Sequence, residues 1–140
     1  MKIQKKGSNH GVALTQIVEH PSFKALNKAD EKFGHYQINH DTRILIRYRS
    51  GNSPWTFTLK EEDINILIED ITYNQRSFLC LVCGNESICV LSCNDYQDLI
   101  DTSKKSTQSI IVELPPRSSM HVKSKIRKLD HAIPHKNFPD

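Results

Sequence analysis

The stretch Phe78 to Cys93, reading FLCLVCGNESICVLSC, constrains the fold most. Two short apolar runs flank Gly84-Asn85-Glu86-Ser87, which predicts a strand, a four-residue turn and a second strand. Nearly every position of both runs is apolar, so both faces of this hairpin are expected to be covered. It is the expected centre of the fold. Every cysteine of the chain (Cys80, Cys83, Cys89 and Cys93) lies inside it.

At 140 residues the chain suits one domain with one core. Such a domain hides roughly two-thirds of the surface that its unfolded chain exposes. Folding therefore needs neither a disulfide nor a metal. No apolar run approaches the roughly 20 residues of a membrane helix. The basic start, MKIQKKGSNHG, is not followed by a signal-peptide core. These features predict a soluble, cytoplasmic protein with no membrane contact and with reduced thiols.

Along the chain, residues 1–9 are expected to be a flexible tail. Leu14, Ile17 and Val18 predict a helix over 11–20 that Pro21 ends. Phe23, Leu26 and Phe33 continue a weaker helical stretch over 22–33, broken by Gly34. Strands are expected at 35–39, 42–49 and 55–59. In the second, Ile44, Ile46 and Tyr48 face one way and Arg43, Leu45, Arg47 and Arg49 the other. In the third, Trp55, Phe57 and Leu59 share a face. Thr58-Leu59-Lys60-Glu61 has capping-box spacing before a helix over 60–71. Glu61, Glu62 and Asp63 fill its first turn and Ile64, Leu67, Ile68 and Ile71 its buried stripe. After the hairpin, Asn94 or Ser92 is expected to cap a short helix, 95–101, that buries Tyr96, Leu99 and Ile100. A strand over 109–114 closes at Pro115-Pro116, and Met120 with Val122 forms a short edge strand. The expected fold is α+β, or mixed α/β. It has a single domain and a central mixed or antiparallel sheet of about five to seven strands, flanked by three helices. The globular part spans 10–116, and 117–140 is a basic C-terminal extension.

Charge is unevenly placed. Residues 1–60 hold ten Lys/Arg against four Asp/Glu, residues 61–101 one against nine, and residues 102–140 eight against three. An acidic middle between basic ends predicts either a polarised surface that steers charged partners or an acidic helix face in solvent.

Three constellations could carry chemistry. Cys80-x-x-Cys83-Gly, with Cys89 and Cys93, has the donors for tetrahedral zinc. Strand alternation points Cys80 and Cys83 to opposite faces, so buried structural thiols are the favoured reading. Arg43, Arg47 and Arg49 project from one strand face, and a guanidinium fork matches phosphate. With an aromatic nearby and the basic Arg117, Lys123, Lys125, Arg127 and Lys128, they would track a nucleic-acid backbone. The alternative is a strand that uses charge to block edge pairing. His10, His20, His35 and His40 have no metal-motif spacing and read as surface residues.

The predicted order helix, strand, strand, strand, helix, strand over residues 11–83 resembles the core of the restriction-endonuclease-like, or PD-(D/E)XK, nuclease fold. That resemblance implies magnesium held by a helical acid, a strand Asp and a (D/E)-x-K. Glu19 and Asp41 would be the first two. The third strand offers Thr56 and Thr58 where the family has its acid and lysine, with Lys60 the nearest basic residue. The resemblance therefore implies a catalytically incomplete nuclease-like domain that binds DNA, RNA or another polyanion. One alternative is a protein-interaction or regulatory module working through residues 61–101 and Trp55. Another is a metal-dependent nuclease using Asp41.

Overall fold

The computed structural model describes residues 26–28, 35–38, 42–72, 76–84, 86–104 and 106–134. The tail expected at 1–9 and the helix expected at 11–20 lie outside them. In chain order the elements are β1 (Leu26–Lys28), β2 (His35–Ile38), β3 (Thr42–Arg49), β4 (Trp55–Leu59), α1 (Glu61–Thr72), β5 (Arg76–Cys83), β6 (Ser87–Ser92), α2 (Cys93–Leu99), β7 (Gln108–Glu113) and β8 (His121–Ser124). The class is α+β, as the sequence implies. The strands form two sheets, one ordered β1-β2-β3-β5-β6 and the other β4-β7-β8.

The larger sheet is built outward from β3 and β5. They run parallel in register from Thr42↔Arg76 to Arg49↔Cys83. A parallel pair needs a long crossover, and β4 with α1 supplies it. β6 returns antiparallel from β5, pairing Phe78 with Ser92 and Cys83 with Ser87, which is the expected hairpin. β2 flanks β3 on the other side, also antiparallel.

Alternation divides this sheet into two buried faces. Leu45, Leu79, Leu81, Cys83, Cys89 and Leu91 point into the main core, where they meet both helices and the smaller sheet. Ile44, Ile46, Cys80, Val82, Ile88 and Val90 point the other way, with Tyr36, Tyr48 and Phe78 packed against them. The double burial of β5 and β6 explains their nearly unbroken apolar runs.

Three expectations are corrected. The strand 55–59 does not join β2 and β3 in one sheet. Trp55, Phe57 and Leu59 are buried while Thr56 and Thr58 are exposed. That one-sided pattern suits the smaller sheet, where β4 pairs with β7 from Trp55↔Val112 to Leu59↔Gln108. The helical stretch expected over 22–33 contains strand β1, paired with β2 from Leu26↔Ile38 to Lys28↔Tyr36. Two helices are found among the described residues, and the expected helix over 11–20 lies outside them. Finally, the basic stretch from 117 is built into the domain as far as it is described. Met120, Val122, Leu129 and Ile133 enter the main core. Met120 and Ile133 exchange two backbone hydrogen bonds of 2.9 and 2.8 Å. Its alternation of apolar and basic residues is that of an edge segment buried on one side.

The helix caps are local. Ser92 caps α2 in a reciprocal box: its hydroxyl accepts from the Asp95 N–H, and the Asp95 carboxylate accepts from the Ser92 N–H. α1 starts at Glu61, with its cap shifted from the expected Thr58. The Asp63 carboxylate accepts from the Lys60 N–H at 3.0 Å.

The hairpin turn is fastened to the turn after β3. Gly84 donates its N–H to the Arg49 carbonyl at 2.8 Å and has φ of 54°. A Cβ there would stand 2.6 Å from the Gly51 carbonyl oxygen, which also accepts the Trp55 indole N–H at 3.0 Å. Gly84→Ala is expected to cost about 1–3 kcal/mol, through strain and loss of this contact. Thr56→Ala, on an exposed strand face, is expected to stay within about 0.5 kcal/mol. Urea denaturation of the two variants checks this; equal costs would contradict it.

Candidate functional site

The arginine face of β3 turns inward. Leu45 lies between Arg43 and Arg47 and is fully buried in the main core, so this face is the covered one. α1 covers it and presents two buried carboxylates, Asp63 and Asp70. Asp63 accepts from the Arg47 Nε at 3.2 Å and makes a closer contact with Nη2. Asp70 accepts from the Arg43 Nη1 at 3.4 Å and lies 2.8 Å from the His35 Nε2. The Arg43 and Arg47 side chains retain only 24 % and 16 % exposure, and Asp70 retains 1 %. These two arginines therefore serve the helix–sheet joint and not an open phosphate track. A guanidinium suits this position because it is weakly hydrated and bonds a carboxylate with more than one N–H.

Arg49 stays exposed at the end of β3. It shares a cleft of about 270 Å³ with Arg47, Thr56, Thr58, Lys60 and Asp63. Thr56 and Thr58, where the nuclease resemblance expects an acid and a lysine, line this cleft, and its Asp63 is already bonded to Arg47 and the Lys60 N–H. Glu19 and Asp41 lie outside the described residues. Trp55 is no surface anchor either, since it is 1 % exposed.

The thiols are divided. Cys80 lies on one face of the larger sheet and Cys83 and Cys89 on the other, while Cys93 opens α2. All four are free. No group of three His, Cys, Asp or Glu able to hold a metal ion occurs among the described residues. Burial pushes the Cys80 and Cys83 thiols up to about 12 and also raises Cys89. Burial likewise raises Tyr96, against the opposing effect of its 2.7 Å bond to the Ser77 hydroxyl.

A cluster of outward cations lies at the turn after β8. The Ser124 hydroxyl oxygen accepts from the Ile126 and Arg127 N–H groups at 3.2 and 3.4 Å. The Ser124 N–H donates to the Arg127 carbonyl at 2.8 Å, and Lys123 bridges to Lys128. This clamp turns Lys125, Ile126, Arg127 and Lys128 to solvent. Ile126, 56 % exposed, is the one exposed large hydrophobic residue among the described residues. Beside the turn lies a groove of about 580 Å³ whose lining includes Asp98, Asp101, Lys104, Lys125, Ile126 and Arg127. Arg127 meets Asp98 at 3.5 Å, an exposed pair. The Ser103 hydroxyl and N–H hold the Asp101 carboxyl below the usual carboxylate range. Lys123 is engaged by Glu113 at 2.8 Å, and Arg117 is exposed on the separate loop after β7. His131 bonds Asp130 and Asp95, and the Asp130 contact leads in raising its pKa.

The sequence pointed to Lys125, Arg127 and Lys128 but not to the groove, nor to Asp63 and Asp70. Leu45 amid the arginines was the available sign that their face is covered. No family model, curated protein or solved structure matches this chain.

Asp70→Ala takes the buried carboxylate away from Arg43 and His35, leaves a void, and is expected to cost about 3–5 kcal/mol. Asp98→Ala, which breaks an exposed pair, is expected to cost at most about 1 kcal/mol. Urea midpoints compare them. The raised thiols predict a pH effect with a definite sign. A thiol whose folded pKa lies above its unfolded value supports folding fully below the unfolded value, and loses that support as pH rises towards the folded one. Stability should therefore fall between pH 9 and pH 11, and replacing Cys80 and Cys83 by Ala should flatten that fall. An unchanged slope in the double variant would contradict this.

Proposed function

We propose that this domain binds the sugar–phosphate backbone of nucleic acid through the clamped turn after β8. The observation that carries the reading is the Ser124 clamp, which holds Lys125, Arg127 and Lys128 on one exposed tip. Cations in a fixed array release counterions on meeting phosphates, and that release drives association. Lys104, at the groove, extends the array. Arg49 and Arg117 lie outside it, and Arg43 and Arg47 are withdrawn into the fold. The reading is one of binding, and it gives Lys60, Thr56 and Thr58 no catalytic task.

The charge of the tip, not of β3, then sets affinity. Lys125→Glu/Arg127→Glu/Lys128→Glu should abolish binding and leave the urea midpoint almost unchanged. Arg47→Glu should instead destabilise the domain by opposing Asp63. Three phosphate contacts give a log–log salt slope of about −2 to −3. Fluorescence anisotropy of labelled oligonucleotides between 50 and 200 mM salt measures both. Salt-insensitive binding, or wild-type binding by the triple variant, would refute the proposal.

A further inference from the structure

We infer that the groove beside this turn takes single-stranded nucleic acid, seating an unstacked base against Ile126. The inference rests on the proposed backbone binding and adds the form of nucleic acid. Ile126 projects from a turn whose backbone is fixed by the Ser124 hydroxyl, so its exposed position is built in. Cations precede and follow it in Lys125, Arg127 and Lys128. An apolar side chain between cations offers one surface to a base face and the others to the phosphates on either side. The groove, at about 580 Å³, is within the size range of sites for small organic molecules, which suits one nucleotide unit.

The carboxylates of the groove decide between duplex and single strand. Asp98 and Asp101 face the same space as Lys104, Lys125 and Arg127. A duplex would bring a dense, rigid row of phosphates against them. A single strand turns its base edges inward, where a carboxylate accepts from an exocyclic amino group. Asp101 suits this role because Ser103 bonds stabilise its ionised form. The Asp98–Arg127 pair is solvent-exposed, and such pairs yield to a competing phosphate at little cost. This chemistry favours cytosine, adenine and guanine, which carry amino groups, over thymine and uracil.

The test uses the full chain and three labelled probes at 50 mM salt: a twelve-nucleotide oligo-dC, a twelve-nucleotide oligo-dT and a twelve-base-pair duplex. Anisotropy should show oligo-dC binding about tenfold tighter than the duplex, and several-fold tighter than oligo-dT. Ile126→Ala, at an exposed site that leaves the urea midpoint unchanged, should weaken oligo-dC about tenfold and spare the duplex. Equal affinity for duplex and single strand, with no effect of Ile126→Ala, would overturn the single-strand inference and leave backbone binding standing. Failure of all three probes to bind would overturn both. Duplex and single strands weakened alike by Ile126→Ala would also overturn it, since Ile126 would then serve the turn and not a base.

Discussion

Two carboxylates under one helix hold the architecture together. Asp63 and Asp70 stand seven residues apart on α1, a rise of about 10.5 Å. Arg43 and Arg47 stand four apart on β3, a span of about 13 Å. The two spacings are close enough for flexible guanidinium side chains to meet both acids across one helix–strand joint. His35, from the neighbouring strand, adds a second bond to Asp70. The joint fixes the helix against the sheet in both position and direction. It does so at the crossover that makes β3 and β5 parallel. Removing an arginine would leave a buried carboxylate without its cation, which makes the joint costly to break.

How much of this was legible follows from what each residue type usually does. The hairpin was readable because its two apolar runs and turn depend on local pattern alone. The helix at 61–72 was readable from its acidic first turn and its Ile64–Leu67–Ile68–Ile71 stripe. The burial of the two aspartates was not, because an acidic residue off the main stripe is normally solvated. Their burial depends on cations delivered by a strand some twenty residues earlier. The sheet that receives β4 is hidden from the sequence for a similar reason. Alternation tells which side of a strand is buried, and only tertiary packing tells which sheet receives it. The turn at 124–128 looks in the sequence like part of a basic extension. Charge dominates its composition, while the burial of Leu129 and Ile133 rests on two scattered side chains.

Part of the acidic middle of the chain is used within the molecule. Asp63 and Asp70 pair with arginines from the basic first part. Asp95 and Asp98 pair with His131 and Arg127 from the basic last part. Charge segregation along the sequence thus becomes charge pairing in space, and it draws the three parts together. Lys125, Arg127 and Lys128 of the Ser124 clamp stay turned to solvent.

The parallel pairing of β3 and β5 has a consequence for how the protein is made. Thr42 meets Arg76, thirty-four residues later, and Phe57 waits longer still for Ile110. A ribosome adds roughly 5–20 residues per second, so β3 spends roughly 2–7 s outside its final pairing. Through that interval Ile44, Leu45 and Ile46 form an apolar strand with one edge unpaired. Such an edge is a template for association with other nascent chains. The interval between the synthesis of β3 and that of β5 is therefore when the polypeptide most needs a chaperone or a low local concentration. The slowest demand on this domain falls before it is complete, while the strand that will cover the open edge is still unmade.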